Sequence, residues 1–355
     1  MNSIFIIAEA GVNHNGSLEM ARQLVGAAAA AGADAVKFQT FTAENLVSRY
    51  APKADYQKAT TDATMSQLEM IRCLELDRSS HEALFAYCRE KNLEFMSTPF
   101  DQDSVDLLVQ LGVARLKVSS GEITNAPLLL KMARTGLPII MSTGMASLGE
   151  VEAALGVLAF GYLGYREPPS PAEFCRAWRE GQGALQEKVT LLHCTTEYPA
   201  PFEEVNLRTM ETLAAAFGLP VGYSDHTSGI AVAIAAAALG ARVIEKHFTL
   251  DKTLPGPDHK ASLEPDELRN LVQSIRQVEK ALGSRVKVCS PSELKNRDIA
   301  RKSLVAARKI SKGEKFSEDN LTSKRPGGGI SPWHYWELLG REASKDFQPD
   351  ELIRC

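Results

Sequence analysis

The sequence predicts a (β/α)8 barrel of the TIM type followed by a small second domain. Three observations predict it. Eight short, almost continuously apolar runs recur through the first four-fifths of the 355 residues; a helical pattern follows each run; and near residue 285 the repeat stops. Runs that are apolar throughout, not alternating, are what parallel strands buried on both faces require. Eight strand–helix units in about 280 residues is the length of such a barrel. A doubly wound open sheet is the alternative, but its glycine fingerprint is missing after the first strand.

In chain order the elements are these. The run at 4–9 (IFIIAE) leads to a helix over Leu18–Ala31, and 35–40 (AVKFQT) to a polar excursion, Tyr50 to Met70, and a helix over His81–Lys91. The run at 93–100 (LEFMSTPF) precedes Ser104–Leu111, 114–121 (ARLKVSSG) precedes Ala126–Thr135, and 138–144 (PIIMSTG) precedes Leu148–Ala159. A second excursion, Gly161 to Gly183, is rich in Pro, Gly and aromatics and delays the sixth run, 189–195 (VTLLHCT), which precedes Leu207–Phe217. The last two units are 221–227 (VGYSDHT) with the Ala-rich pattern Gly229–Leu239, read as a buried helix, and 241–249 (ARVIEKHFT) with Pro265–Leu282. Both excursions read as insertions on barrel loops. The barrel is expected over 1–284, a linker over 285–297, and a separate domain of short strands, several glycines and one short helix over 298–355.

Bulk properties exclude several classes. The formal net charge is -4 with acids and bases interspersed, so no clustered basic face marks a nucleic-acid partner. The start, MNSIFIIAEAGVNHNG, lacks the basic region of a signal peptide. No stretch reaches the roughly 18 uninterrupted apolar residues that a membrane span needs. The six cysteines, Cys73, Cys88, Cys175, Cys194, Cys289 and Cys355, include no C-x-x-C pair, which argues against a disulfide framework or a structural zinc site and fits a reducing cytoplasm.

Catalytic groups of a barrel sit at the carboxyl ends of its strands. Here those ends carry Glu9, Lys37 and Gln39, Ser97 and Thr98, Lys117 and Ser120, Ser142 and Thr143, His193 and Thr195, Asp225 and His226, and Glu245 and His247. A single Ser or Thr at such a place simply marks where a strand leaves the core. Lys and Glu are different, because they are almost never buried unpaired. Lys37 and Lys117 must face each other, bulk water or an anion; a phosphorylated, carboxylated ligand would explain two lysines among hydroxyls, and a structural ion pair is the other reading. His226 and His247 close neighbouring strands. They suit a divalent metal whose shell water or substrate completes; alternatively one is a hydrogen-bonded histidine beside Asp225 and the other a general base. Asp258, in LPGPDHK, lies just beyond the eighth strand, within reach of the same mouth.

The motifs IAEAGVNHNG, VKFQT, STPF, KVSSGE, STGM, HCTTEYP, GYSDHT and EKHFTLDKTLPGPDHKAS resemble the sialic acid synthases in order and spacing. The tail motifs KSLVA, KGE, KRPGGGI and LLG resemble their antifreeze-like (SAF) domain, so the resemblance spans nearly the whole chain. It implies an enzyme that condenses phosphoenolpyruvate with an open-chain N-acetylmannosamine-type sugar to a nine-carbon 2-keto acid and phosphate. On the matching positions it implies that Lys37, Thr98, Lys117, Ser120, Ser142 and Ser224 bind phosphoenolpyruvate, and that His226 and His247 ligate manganese, with magnesium or cobalt as alternatives. Glu9, Gln39, Tyr198, Glu245 and Asp258 would line the sugar and aldehyde site. Arg325, in KRPGGG beside the glycine run Gly327 to Gly329, would reach the sugar from a partner's tail in a domain-swapped homodimer. Thr196 stands where bacterial N-acetylneuraminate synthases usually have Asn. That, with the forms HCTTEYP and LPGPDHKASLEP, looks more like the legionaminic acid branch, whose sugar is a 2,4-diacetamido-6-deoxy mannose analogue. Two rivals remain: another phosphoenolpyruvate-dependent keto-acid synthase, which lacks such a tail, and a carbohydrate-binding protein, which has no need of lysines, histidines and acids at eight strand ends.

Overall fold

The computed structural model describes residues 3–53 and 64–354. The chain divides into two compact units, Met1–Gly283 and Ser284–Cys355.

The first unit is the expected barrel. Its strands are β1 (Phe5–Gly11), β2 (Ala35–Thr40), β3 (Glu94–Pro99), β4 (Leu116–Val118), β5 (Ile139–Ser142), β6 (Val189–Cys194), β7 (Val221–Asp225) and β8 (Val243–His247). All pairings are parallel, in the order β3-β2-β1-β8-β7-β6-β5-β4. β3 and β4 bring Cα atoms within 8 Å of each other across the remaining seam. The helices follow the predicted patterns with shifted ends, and the shifts have local causes. Asp77 caps the helix Arg78–Glu90 by accepting from Ser80 N, and Asp101 caps Gln102–Leu111 by accepting from Ser104 N; each side chain satisfies an amide the helix leaves open and so starts it early. The Ala-rich run forms Ala231–Ala238, but it is buried only on Ala233, Ala236 and Ala237, with Leu239 exposed just beyond it.

Strand alternation divides the barrel interior into layers. Ile7, Ala35, Met96, Ile140, Leu192 and Val243 form an apolar cluster of their own, separate from the larger core packed between strands and helices. Two residues further along each strand come Glu9, Lys37, Thr98, Ser142, Cys194 and Glu245, all buried. A further two steps reach Gly11, Gln39, Gly144, Thr196 and His247. The apolar layer plugs the barrel below, so the polar layer above it can be reached only from the carboxyl-end mouth.

The two excursions hold helices that the sequence reading did not assign. Residues 54–63, about half of Tyr50–Met70, lie outside the described residues. The end of that stretch is a helix, Gln67–Arg72, opened by a reciprocal capping box between Ser66 and Glu69. The Gly161–Gly183 stretch holds a helix, Pro171–Glu180, against Leu148–Tyr162, where a side chain on Gly156 would meet Phe174 O at 2.8 Å.

In the second unit β9 (Ser303–Ala306) and β10 (Leu321–Lys324) pair antiparallel, over a small core of Leu304, Ile310, Phe316, Leu321, Phe347 and Ile353. The stretch expected as a linker is not irregular throughout: Pro291–Ala300 is a helix, started by a capping box between Ser290 and Glu293.

Candidate active site

At the mouth of the barrel a cavity of about 190 Å³ is lined by fourteen of the residues singled out from the sequence: Glu9, Lys37, Gln39, Thr98, Lys117, Ser120, Ser142, Thr196, Tyr198, Ser224, His226, Glu245, His247 and Asp258. Each sits there because its strand delivers it inward or its loop follows that strand directly.

The charged layer is a cluster of two lysines and two carboxylates. Lys37 Nζ lies 2.5 Å from Glu9 Oε2 and 3.7 Å from Glu245 Oε2, and it donates to Thr98 Oγ1 at 3.1 Å. Lys117 Nζ lies 3.7 Å from Glu245 Oε1 and donates to Ser142 Oγ at 2.6 Å and Val118 O at 3.0 Å. Ser224 Oγ donates to Glu245 Oε1 at 2.9 Å. Burial acts on all four. It pushes the Glu9 carboxyl up to about 8 against the pull of Lys37, and pushes Lys117 below the usual lysine value. Burial would also lower Lys37, but Glu245 and Glu9 beside it hold it above the ordinary value; burial would raise Glu245, but Lys117 and Lys37 keep it below the ordinary carboxylate value. Two lysines therefore face one carboxylate kept ionised by their charges and one whose proton affinity burial raises. The cavity floor thus offers two ammonium groups that an anion could meet, already paired with carboxylates, and a group able to give or take a proton beside them.

The two imidazoles stand at the rim, ring centroids 5.5 Å apart. His226 Nδ1 donates to Thr195 O at 2.6 Å, which fixes the tautomer and leaves Nε2 bare. Its neighbour Ser224 Oγ, at 3.4 Å, already gives its proton to Glu245. The Nε2 lone pair therefore points unserved into the cavity. His247 Nδ1 is buried without a hydrogen-bond partner among the described residues, 3.8 Å from Asp258 Oδ2. Burial lowers His226 to about 4 and His247 well below its ordinary value, so both are neutral at pH 7. Neutral, oriented imidazoles with free lone pairs fit a divalent transition metal. Among the described residues no third His, Cys, Asp or Glu joins them in a ready-made cluster, so water or substrate would complete the shell. Tyr198 stacks on His226 at 4.2 Å and meets His247 edge-on at 5.6 Å.

A model of the NeuB family matches residues 24–287, and one of the SAF domain matches residues 301–354. The chain belongs to the NeuB family. It is 55% identical over 354 residues to an N,N'-diacetyllegionaminic acid synthase of Campylobacter jejuni, covering 100% of both chains. It is 48% identical over 340 residues to the enzyme of that name from Legionella pneumophila, covering 96% of this chain and 90% of the relative. Among solved structures, an N-acetylneuraminic acid synthetase of Leptospira borgpetersenii in complex with citrate superposes with a TM-score of 0.67 at 34% identity, over 83% of this chain and 90% of the other.

Not every strand-end residue of this NeuB-family chain faces the cavity. Ser97, Thr143, His193 and Asp225 stand one step out of phase and point away from the interior. Ser97 Oγ shares a hydrogen bond with Thr40 Oγ1 at 2.7 Å, Thr143 Oγ1 donates to Leu192 O at 3.0 Å, and His193 Nε2 meets Val205 O at 2.6 Å. Asp225 pairs with Lys246, not with His226. Arg325 lies exposed on the second unit, just past β10. The glycine run beside it closes on its own domain: Gly327 N donates to Asp298 O at 2.6 Å, and a side chain on Gly329 would come within 3.0 Å of Ser303 Cβ.

Sequence reasoning missed part of the site. Cys194 lies beneath Thr196, its Sγ 3.1 Å from Ser120 Oγ. Val12, Met70, Ile71, Leu74 and Phe100 give the cavity an apolar wall. Stepping by two along β6 from Leu192 would have found Cys194. The Ser66–Glu69 capping box ahead of Met70 and Ile71 would have shown an apolar helix where a polar excursion was expected.

Proposed function

We propose that this chain is a nonulosonic acid synthase that condenses phosphoenolpyruvate with 2,4-diacetamido-2,4,6-trideoxymannose, giving N,N'-diacetyllegionaminate and phosphate. The observation that carries the reading is the pairing, in one cavity, of a two-lysine anion floor with two bare, neutral imidazoles at the rim. The floor suits a small ligand bearing phosphate and carboxylate. The apolar wall of Val12, Ile71 and Leu74 suits a sugar with a methyl group in place of a hydroxymethyl. The likeness to two diacetyllegionaminic acid synthases over nearly the whole chain supports the same choice.

In this reading Lys37, Lys117, Thr98, Ser120, Ser142 and Ser224 hold phosphoenolpyruvate, while Gln39, Thr196, Tyr198, Glu245 and Asp258 orient the open-chain sugar. His226 and His247 hold manganese, or magnesium or cobalt, and the ion's contribution when bound is to polarise the aldehyde oxygen. Holding C3 of phosphoenolpyruvate against the aldehyde carbon is the work of the two clamps. As the new C–C bond forms, positive charge develops at C2, and ionised Glu245 lies in the layer beneath to stabilise it. Water adds at C2 with its proton passing to a carboxylate; Glu9 in its ionised form, made more basic by burial, is the group suited to receive it. The adduct breaks its C–O bond, and Lys37 and Lys117 offset the charge on departing phosphate. Arg325 of a second copy completes the sugar site in a swapped dimer.

The test is incubation of the full chain and Mn2+ with phosphoenolpyruvate and either the 2,4-diacetamido-6-deoxy sugar or N-acetylmannosamine. Phosphate is assayed and the product weighed by mass spectrometry. The expected result is a higher kcat/KM for the diacetamido sugar. Equal or reversed values return the chain to N-acetylneuraminate synthesis, and no phosphate from either sugar overturns the reading.

A further inference from the structure

Asp225 and Lys246 form an ion pair at 2.9 Å with no exposure on either side chain. They are direct cross-strand partners on β7 and β8, pointing out of the barrel into the layer between strands and helices. The pair belongs to a closed ring. Asp225 Oδ1 accepts from Thr227 N at 2.9 Å and from Thr227 Oγ1 at 2.8 Å, and Lys246 Nζ donates to Thr227 O as well as to Asp225 Oδ2. The ring spans residues 225–227 and so encloses the backbone of His226. That backbone is held from a second side, where His226 O accepts from Ala200 N at 2.9 Å.

A buried ion pair is a poor way to gain stability, because desolvation offsets most of the attraction and an apolar pair of similar volume does as well or better. What a buried ion pair can supply instead is a single register and a single orientation. In a strand pair the outward residues dictate where the inward ones stand. Here the inward neighbours of Asp225 are Ser224 and His226, and those of Lys246 are Glu245 and His247. We infer that Asp225 and Lys246 are positioning residues whose closed ring with Thr227 sets the separation and aim of His226 and His247, and with them the chain's affinity for a divalent ion. This rests on the reading of the two histidines as metal ligands.

The experiment measures Mn2+ binding to the full chain without substrates, by the loss of the free-ion electron paramagnetic resonance signal, alongside the thermal midpoint. The informative variant is the double substitution Asp225→Leu with Lys246→Met, which removes both charges and leaves neither partner unpaired. A merely structural pair predicts Mn2+ affinity either unchanged or lowered only in step with a fall in the thermal midpoint, and either result overturns the inference. A positioning pair predicts a midpoint near that of the parent with Mn2+ bound about 10- to 100-fold more weakly, the usual effect of losing a group that orients a ligand. Thr227→Val, which opens the ring at one hydroxyl, is expected to weaken Mn2+ binding by about threefold to tenfold and stands in if the double variant does not fold. Parent-like Mn2+ affinity in the double variant, or in Thr227→Val when it stands in, overturns the inference. His226→Ala and His247→Ala test the underlying reading separately. If they leave Mn2+ binding unchanged, or the parent binds none, the ligand assignment fails and the inference falls with it.

Discussion

His14 lies fully buried behind β1, with Nδ1 accepting from the Gly16 amide at 3.0 Å and Nε2 without a partner among the described residues. Burial, aided by the charges His81 and His259 would carry, lowers its pKa from 6.5 to about 4. The unfolded chain therefore takes up a proton at this residue between those values while the folded chain does not. The contribution to stability is complete above pH 6.5 and is lost as pH falls toward 4. Between pH 7 and pH 5 it amounts to about 2 kcal/mol. His14→Asn keeps an acceptor for Gly16 and removes the titration. Denaturant unfolding of both proteins at pH 7 and pH 5 should show the variant losing about 2 kcal/mol less than the parent on acidification; parallel losses would refute the assignment. Gly144 makes a different point at the same scale. A side chain there would lie 2.4 Å from Thr196 Oγ1, 2.8 Å from Ser120 Oγ and 2.9 Å from Cys194 Sγ. Gly144→Ala must displace groups that line the cavity, so KM for phosphoenolpyruvate should rise by on the order of tenfold with little change in thermal midpoint. Unaltered kinetics would show that Ser120 does not touch that substrate.

At the scale of elements, β7 packs against β6 and β8 with no room for a side chain at Gly222. A side chain on Gly222 would meet Val243 O at 2.3 Å, Leu192 Cδ2 at 2.7 Å and Val243 Cβ at 2.9 Å, two of which are backbone or branched carbons with nowhere to move. Gly222→Val should cost at least about 3 kcal/mol or prevent folding, read from the midpoint of thermal unfolding, whereas a shift of a degree or two would mean that β7 and β8 can separate. The barrel was legible in the sequence because a strand buried on both faces leaves an uninterrupted apolar run, and each of the eight runs became a strand. The ends were less legible, because hydrogen bonds and not hydropathy decide them: ARLKVSSG shrinks to Leu116–Val118, after which Ser119 turns the chain by accepting from the Gly121 amide. The same apolar runs hid the phase of each strand. A run apolar on both faces does not say which face is the interior, so Ser97, Thr143 and Asp225 looked equivalent to Thr98, Ser142 and His226, and His193 stood out where Cys194 faces inward. One inward lysine, Lys37, paired in register with Glu9 across β1 and β2, would have resolved the phase for both strands.

Charge is divided unevenly over the whole molecule. Residues 284–355 hold 15 Lys and Arg against 10 Asp and Glu, so the barrel carries more than the whole chain's formal -4. Opposite net charges favour an encounter between the tail of one copy and the barrel of another, with a dependence on salt. In the swapped dimer proposed above, Arg325 serves a barrel other than its own, and subunit mixing separates that arrangement from its alternative. Arg325→Ala is prepared in one sample and His247→Ala in another, each with little activity, and the two are refolded together. If Arg325 acts across the interface, every mixed dimer has one site with both lesions and one with neither. With random pairing about half the dimers are mixed, so about a quarter of the parent activity should return. If Arg325 serves its own barrel, each site keeps one lesion and nothing returns. Native mass spectrometry verifies that exchange has taken place, and exchange without recovered activity eliminates the swap.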